Sequence, residues 1–70
     1  MTPKFKVGQR VKVTTEAIQN DPDLEDVRYR AATVEGIDTY ETVEPFYSIL
    51  FDGDTFPSDL REDELEAAND

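Results

Sequence analysis

A small all-β domain is what this sequence predicts, and three features carry the expectation. Short runs have strand character, alternating with period two in Val7-Gly8-Gln9-Arg10-Val11-Lys12-Val13 and rich in aromatic and aliphatic residues in Phe46-Tyr47-Ser48-Ile49-Leu50-Phe51. The triplet Asp52-Gly53-Asp54 follows the second run directly and marks a tight turn. No stretch sustains the periodicity of a long amphipathic helix. A five-stranded barrel fits, because closing a small sheet protects edges that would otherwise stay open.

The elements follow in order. A first strand is expected over about 9–14, with Val11 and Val13 on one side and Gly8 at a turn before it. Residues 15–27 read as an acidic loop, in which Asn20-Asp21-Pro22-Asp23 is turn chemistry. One helical turn fits over 14–19. A second strand over 28–37 puts Ala32 and Val34 on one face and Tyr29, Ala31 and Thr33 on the other. Gly36 breaks that alternation, which suits a β-bulge. Residues 38–45 form a polar connection. The strand over 46–51 turns Tyr47, Ile49 and Phe51 one way and Phe46, Ser48 and Leu50 the other. Both of its faces are apolar, as in a central strand or one that also meets a partner. A short strand over 55–57 ends at Pro57, which cannot donate to a ladder. Residues 58–61 and 62–65 read as short helical or 3₁₀ turns, the first capped by Ser58. Residues 66–70 read as a frayed tail. The expected core is Val11, Val13, Ala32, Val34, Ile49, Phe51, Leu60 and Leu65.

Composition bounds the chemistry. The chain has 70 residues, with 7 basic and 17 acidic side chains and a net charge of −10. That length fits one domain, spanning 1–70 with an ordered core over about 5–65. A chain this short buries only about 60% of its unfolded surface, so almost every apolar side chain is needed inside. There is no cysteine, hence no disulfide framework, thiolate nucleophile or thiolate zinc site. There is no histidine, hence no Ser-His pair and no imidazole ligand. No apolar run approaches the roughly 18 residues of a membrane span, and the basic N-terminus lacks the apolar stretch of a secretory signal. An intracellular protein is expected, cytoplasmic or, in a eukaryote, nuclear. The start at Met1 and the small size suit an independent protein. Charge is segregated: residues 1–14 hold Lys4, Lys6, Arg10 and Lys12 without an acid, whereas acids fill the loops and the C-terminal third. This pattern reads as solvated loops with cross-strand pairing, or as an acidic surface for a basic partner. The negative balance opposes general binding to phosphate backbones.

The order of motifs resembles the SH3-like barrels of the Tudor (royal) superfamily. The resemblance rests on the Val7–Val13 run, Tyr29-Arg30-Ala31-Ala32-Thr33-Val34, Tyr47-Ser48-Ile49-Leu50-Phe51-Asp52-Gly53-Asp54, Phe56-Pro57-Ser58-Asp59-Leu60 and the closing Glu64-Leu65. Small bacterial and phage SH3-like proteins share this grammar. The acidic insert 15–27 is longer than the family's usual first loop. Tudor readers hold a methylated lysine or arginine in an aromatic cage. The resemblance maps cage positions to Tyr29 on the second strand and to Phe51 and Phe56 at the hairpin, with Asp52 or Asp54 beside the cation. The first loop contains no aromatic residue, so Tyr40 would have to stand in.

Other constellations fail on residue type. Asp21, Asp23 and Glu25 alternate like a calcium loop, but the glycine and bidentate glutamate positions of an EF-hand fall on Asp26 and Ala32. Counted from Asp52, the same positions are Pro57 and Asp63. Paired carboxylates for glycoside hydrolysis need a cleft that so small a barrel hardly offers. Glycine occurs only at 8, 36 and 53, so no glycine-rich phosphate loop exists. The expectation is therefore a non-enzymatic, monomeric interaction module without cofactor or metal. Its partner is another protein with a basic surface, met by Tyr29, Tyr40, Phe46 and Phe56 together with Asp52 and Asp54. A Tudor-type reader of methylated tails is the first alternative. A small phage-type inhibitor that mimics nucleic-acid charge is the second.

Overall fold

A computed structural model of the chain describes residues 3–28, 30–40 and 43–68. The elements are β1 (Arg10–Val13), α1 (Thr15–Asn20), the 3₁₀ helix η1 (Pro22–Val27), β2 (Ala31–Tyr40), β3 (Val43–Phe51), β4 (Ser58–Arg61), the 3₁₀ helix η2 (Glu62–Glu64) and β5 (Leu65–Ala67). The strands form one antiparallel sheet in the order β4-β3-β2-β1-β5. The protein is mostly β, as the alternation predicts.

All eight expected core residues are buried, and Phe5, Ala17, Ile18 and Tyr47 join them. Register explains the inner face: Val11 lies opposite Ala32, Ala32 opposite Phe51, Val34 opposite Ile49, and Tyr47 opposite Leu60. The β2–β3 ladder shifts between Val34 and Gly36, so the break in alternation at Gly36 is a bulge. The extra residue reverses the parity of β2. Ile37 therefore follows Val34 onto the inner side, opposite Tyr47, and packs against the core.

The second strand begins at Ala31 rather than 28 and runs on to Tyr40, and β3 begins at Val43, so most of the expected 38–45 connection is strand. Three further segments differ from the sequence expectation. The acidic insert is not plain loop. Thr14 caps α1, its Oγ1 accepting from the Ala17 amide at 3.1 Å, and Ala17 and Ile18 turn inward. Asp21 then caps η1 by accepting from the Asp23 amide, and Pro22 opens it. Leu24 and Val27, three apart, share the inner face of η1 and pack on the core, which leaves Asp23, Glu25 and Asp26 outside. The fourth strand comes later than expected. Thr55 and Phe56 form a bend, while Ser58–Arg61 is strand and pairs with β3 from Ile49 back to Phe46. Ser58 thus sits in a ladder and caps no helix. Finally, β5 takes in Glu66 and Ala67, opposite Lys12 and Val11, where a frayed tail was expected.

Two turns depend on glycine. The Asp54 amide donates to the Phe51 carbonyl, closing a turn with Gly53 at φ +92°. No described non-glycine residue has positive φ, so Asp52 keeps an ordinary conformation and the turn is of type II. Gly8, at φ +91°, closes the Lys6–Gln9 turn and brings Phe5 back under the sheet.

Candidate interaction surface

The hairpin after β3 brings together four charged side chains from three separate stretches of the sequence. Arg10 points outward from β1, opposite Thr33 on β2. Its guanidinium meets Asp52 with both nitrogens, Nη1 to Oδ1 at 2.8 Å and Nη2 to Oδ2 at 2.6 Å, and Nη1 also donates to Thr33 Oγ1. Arg30 donates from Nη2 to the Asp52 carbonyl oxygen and to Asp54 Oδ1 at 2.8 Å. It also lies 5.6 Å from the centre of the Phe51 ring. The bonds from Arg10 hold the Asp52 carboxyl below the usual carboxylate range, against a smaller opposing effect of desolvation. Asp52 and Asp54 are thus each engaged by an arginine of the same chain, and the face of Phe51 is covered by a cation of the same chain.

The expected aromatic positions are dispersed. Tyr29 lies outside the described residues, as does the side chain of Tyr40. Phe46 is 36% exposed, beside Arg61 and Asp38 at one end of the β3–β4 ladder. Phe56 is 80% exposed and lies beyond Ser58, which pairs with Ile49 at the other end. About 10 Å of strand separates those ends, so Phe46 and Phe56 do not form one patch.

The cations are largely spent inside the chain. Arg10 pairs with Asp52, Lys12 with Glu66, Arg28 with Glu25, Arg30 with Asp54, and Arg61 with Asp63 and Glu64. Among the described residues, Glu16, Asp21, Asp23, Asp26, Glu35, Asp38 and Asp59 take part in no ion pair. Folding concentrates part of this surplus. An open cleft of about 370 Å³ between α1 and η2 is lined by Glu16, Ala17, Asn20, Asp21, Arg61, Asp63 and Glu64. Four carboxylates thus face one guanidinium. The last turn of α1 carries no basic residue, so its free carbonyls add to the negative potential. A second hollow of about 340 Å³ is lined by Lys12, Val13, Thr15, Arg28 and Glu66. Among the described residues no carboxylate group is arranged to hold a metal ion, and no helix is long and apolar enough to cross a membrane.

Sequence reasoning found both acidic segments but not their convergence. Asp21 and Asp63 are brought together by the contact of α1 with η2. The local signal was the Ala17-Ile18 pair, which gives the insert an inner face. Compared with family models, curated proteins and solved structures, the chain matches none.

Proposed function

We propose that this chain is a non-enzymatic protein-interaction module, an SH3-like barrel that meets the basic surface of another protein through its α1–η2 cleft. The convergence of Glu16, Asp21, Asp63 and Glu64 on one cleft, while most of the cations are paired elsewhere, carries the reading. Exposed charge of one sign speeds encounter with the opposite sign and rejects acidic partners. Phe46 and Phe56 supply contact area outside the cleft. The Tudor-type cage gains no support from the hairpin, where Arg30 already covers Phe51 and engages Asp54.

The barrel reading is supported by chain length. In a flat five-stranded sheet the two edges stand about 19 Å apart. Here the edge strands β4 and β5 are joined by η2 alone, Glu62–Glu64. From Arg61 to Leu65 the chain reaches at most about 14 Å, and a 3₁₀ turn reaches less. A curled sheet brings the edges within that reach.

Fluorescence titration with lysine- and arginine-rich peptides tests the proposal. Affinity should fall as NaCl rises from about 50 to about 300 mM, because exposed charges are screened. The pair Asp21→Lys with Asp63→Lys should abolish binding in a chain that circular dichroism shows to be folded. The pair Glu35→Lys with Asp38→Lys, away from the cleft, should leave most of it. Equal losses from both pairs would reduce the effect to bulk charge and remove the cleft from the account.

A further inference from the structure

We infer that the Asp52–Gly53 bond is a site of spontaneous isoaspartate formation that Arg10 holds closed. Isomerisation at Asp-Gly needs a protonated carboxyl, a free glycine amide and freedom to bring them together. The turn supplies the second. Gly53 is exposed, has no side chain to hinder attack, and its amide makes no hydrogen bond among the described residues. In the reaction the Gly53 nitrogen attacks Cγ of the Asp52 carboxyl. An N–Cγ bond forms, the Cγ–OH bond breaks, and the hydroxyl leaves as water with the amide proton. Water then reopens the succinimide. Cleavage at the side-chain carbonyl restores aspartate; cleavage at the main-chain carbonyl leaves the chain running through the side chain. The water lost is regained, and no oxidant or cofactor is needed.

The fork of Arg10 blocks this at the carboxyl. Both oxygens are bonded, at 2.8 and 2.6 Å, which fixes the carboxylate toward β1 and stabilises it as the unreactive anion. Arg30 holds the carbonyl of the same residue and ties down Asp54, the other titratable group in the turn. The Asp52 amide is anchored to the Ala31 carbonyl at 3.0 Å. Isomerisation would add a methylene to the main chain inside this frame and detach the carboxylate from Arg10. The hairpin would then lose its tie to β1.

The experiment ages the folded chain, its variants and the urea-unfolded chain at neutral pH. Isoaspartate is counted by enzymatic methylation and by chromatography of the tryptic fragment spanning 31–61. The folded chain should isomerise several-fold more slowly than the unfolded one. Arg10→Gln, folded by circular dichroism, should recover much of that difference, and Arg10→Lys less, since an ammonium cannot bond both oxygens in one plane. Lys12→Gln, which breaks the neighbouring Lys12–Glu66 pair, should stay at the wild-type rate. A folded Arg10→Gln at the wild-type rate would overturn the inference, as would a wild-type chain as labile folded as unfolded. Should both Arg10 variants fail to fold, the pH profile of the wild type decides. Its rate should begin to rise at lower pH than that of a peptide spanning 49–57; coincident profiles would also overturn the inference.

Discussion

Tyr47 joins three parts of the chain through one hydroxyl. The side chain is fully buried in β3, and its oxygen accepts from the Lys4 amide at 3.0 Å and the Phe5 amide at 3.3 Å while donating to Glu62 at 2.9 Å. Phe5 stacks edge-on against the ring at 5.3 Å. Desolvation raises the Tyr47 pKa above its ordinary 10.0, and the bond to Glu62 adds to the rise, against the two amides. A raised pKa means the folded chain keeps its proton where the unfolded chain releases it. This contribution is full below pH 10 and is lost as pH rises from there through the folded value. Tyr47→Phe should cost about 1–3 kcal/mol near neutral pH, since the buried Phe5 amide loses its acceptor, while the Lys4 amide keeps its bond to Glu62. It should also flatten the alkaline limb of a urea-stability profile relative to wild type; parallel limbs would refute the assignment. At this scale the core was largely legible, because alternation places Val11, Val13, Ile49 and Phe51 without reference to anything distant. Phe5 was not, since its burial depends on Tyr47, 42 residues away. Nor was the fate of Asp52 and Asp54, whose arginine partners lie 42 and 24 residues away.

Elements were legible in proportion to their number of inward side chains. β3 buries Tyr47, Ile49 and Phe51 and stands out in the sequence, whereas β4 buries Leu60 alone and shows no alternation. The strand at Ser58–Arg61 is set by pairing to β3, which a local pattern cannot report. The acidic insert hid its structure for a related reason. Leu24…Val27 have the spacing of a single 3₁₀ turn and Ala17-Ile18 are merely adjacent, so neither pair registers as periodicity. Such short helices gain little from propensity and depend on caps and tertiary contact. Thr14 is the test: its hydroxyl caps α1, and its amide donates to the Glu64 carbonyl at 3.0 Å. Thr14→Ala removes the first bond and keeps the second. We expect a loss of about 1 kcal/mol in urea denaturation, with the acidic cleft loosened because α1 forms one wall. Thr14→Ser should retain most of the stability. An alanine variant as stable as wild type would show that packing of Ala17 and Ile18 alone holds the helix.

At the scale of the whole molecule, two electrostatic effects oppose each other, and magnitude decides between them. A net charge of −10 on a body with a radius of gyration of 11.3 Å repels itself, more in the compact state than in the expanded chain. The ion pairs pull the other way, but among the described residues each has a partner more than a third exposed, and Asp52, Glu66, Glu25 and Asp63 are about half exposed or more. Exposed pairs contribute about 0–1 kcal/mol each, and salt removes only part of that, so screening them costs about 1 kcal/mol in all. For a charged sphere of this size, raising ionic strength from about 10 to about 150 mM relieves on the order of 2 kcal/mol more repulsion in the compact state than in the expanded one. Repulsion therefore wins, and the chain should become more stable as NaCl is added over that range. Urea, being uncharged, is the denaturant that keeps the measurement clean. Double charge reversal with Asp21→Lys and Asp63→Lys brings the net charge from −10 to about −6 and should flatten the salt dependence, even though neither residue is in the core. A wild-type chain that instead loses stability with salt would mean that the Arg10–Asp52 and Arg30–Asp54 pairs outweigh the whole surplus of acids, and that the hairpin rather than the charge balance governs folding.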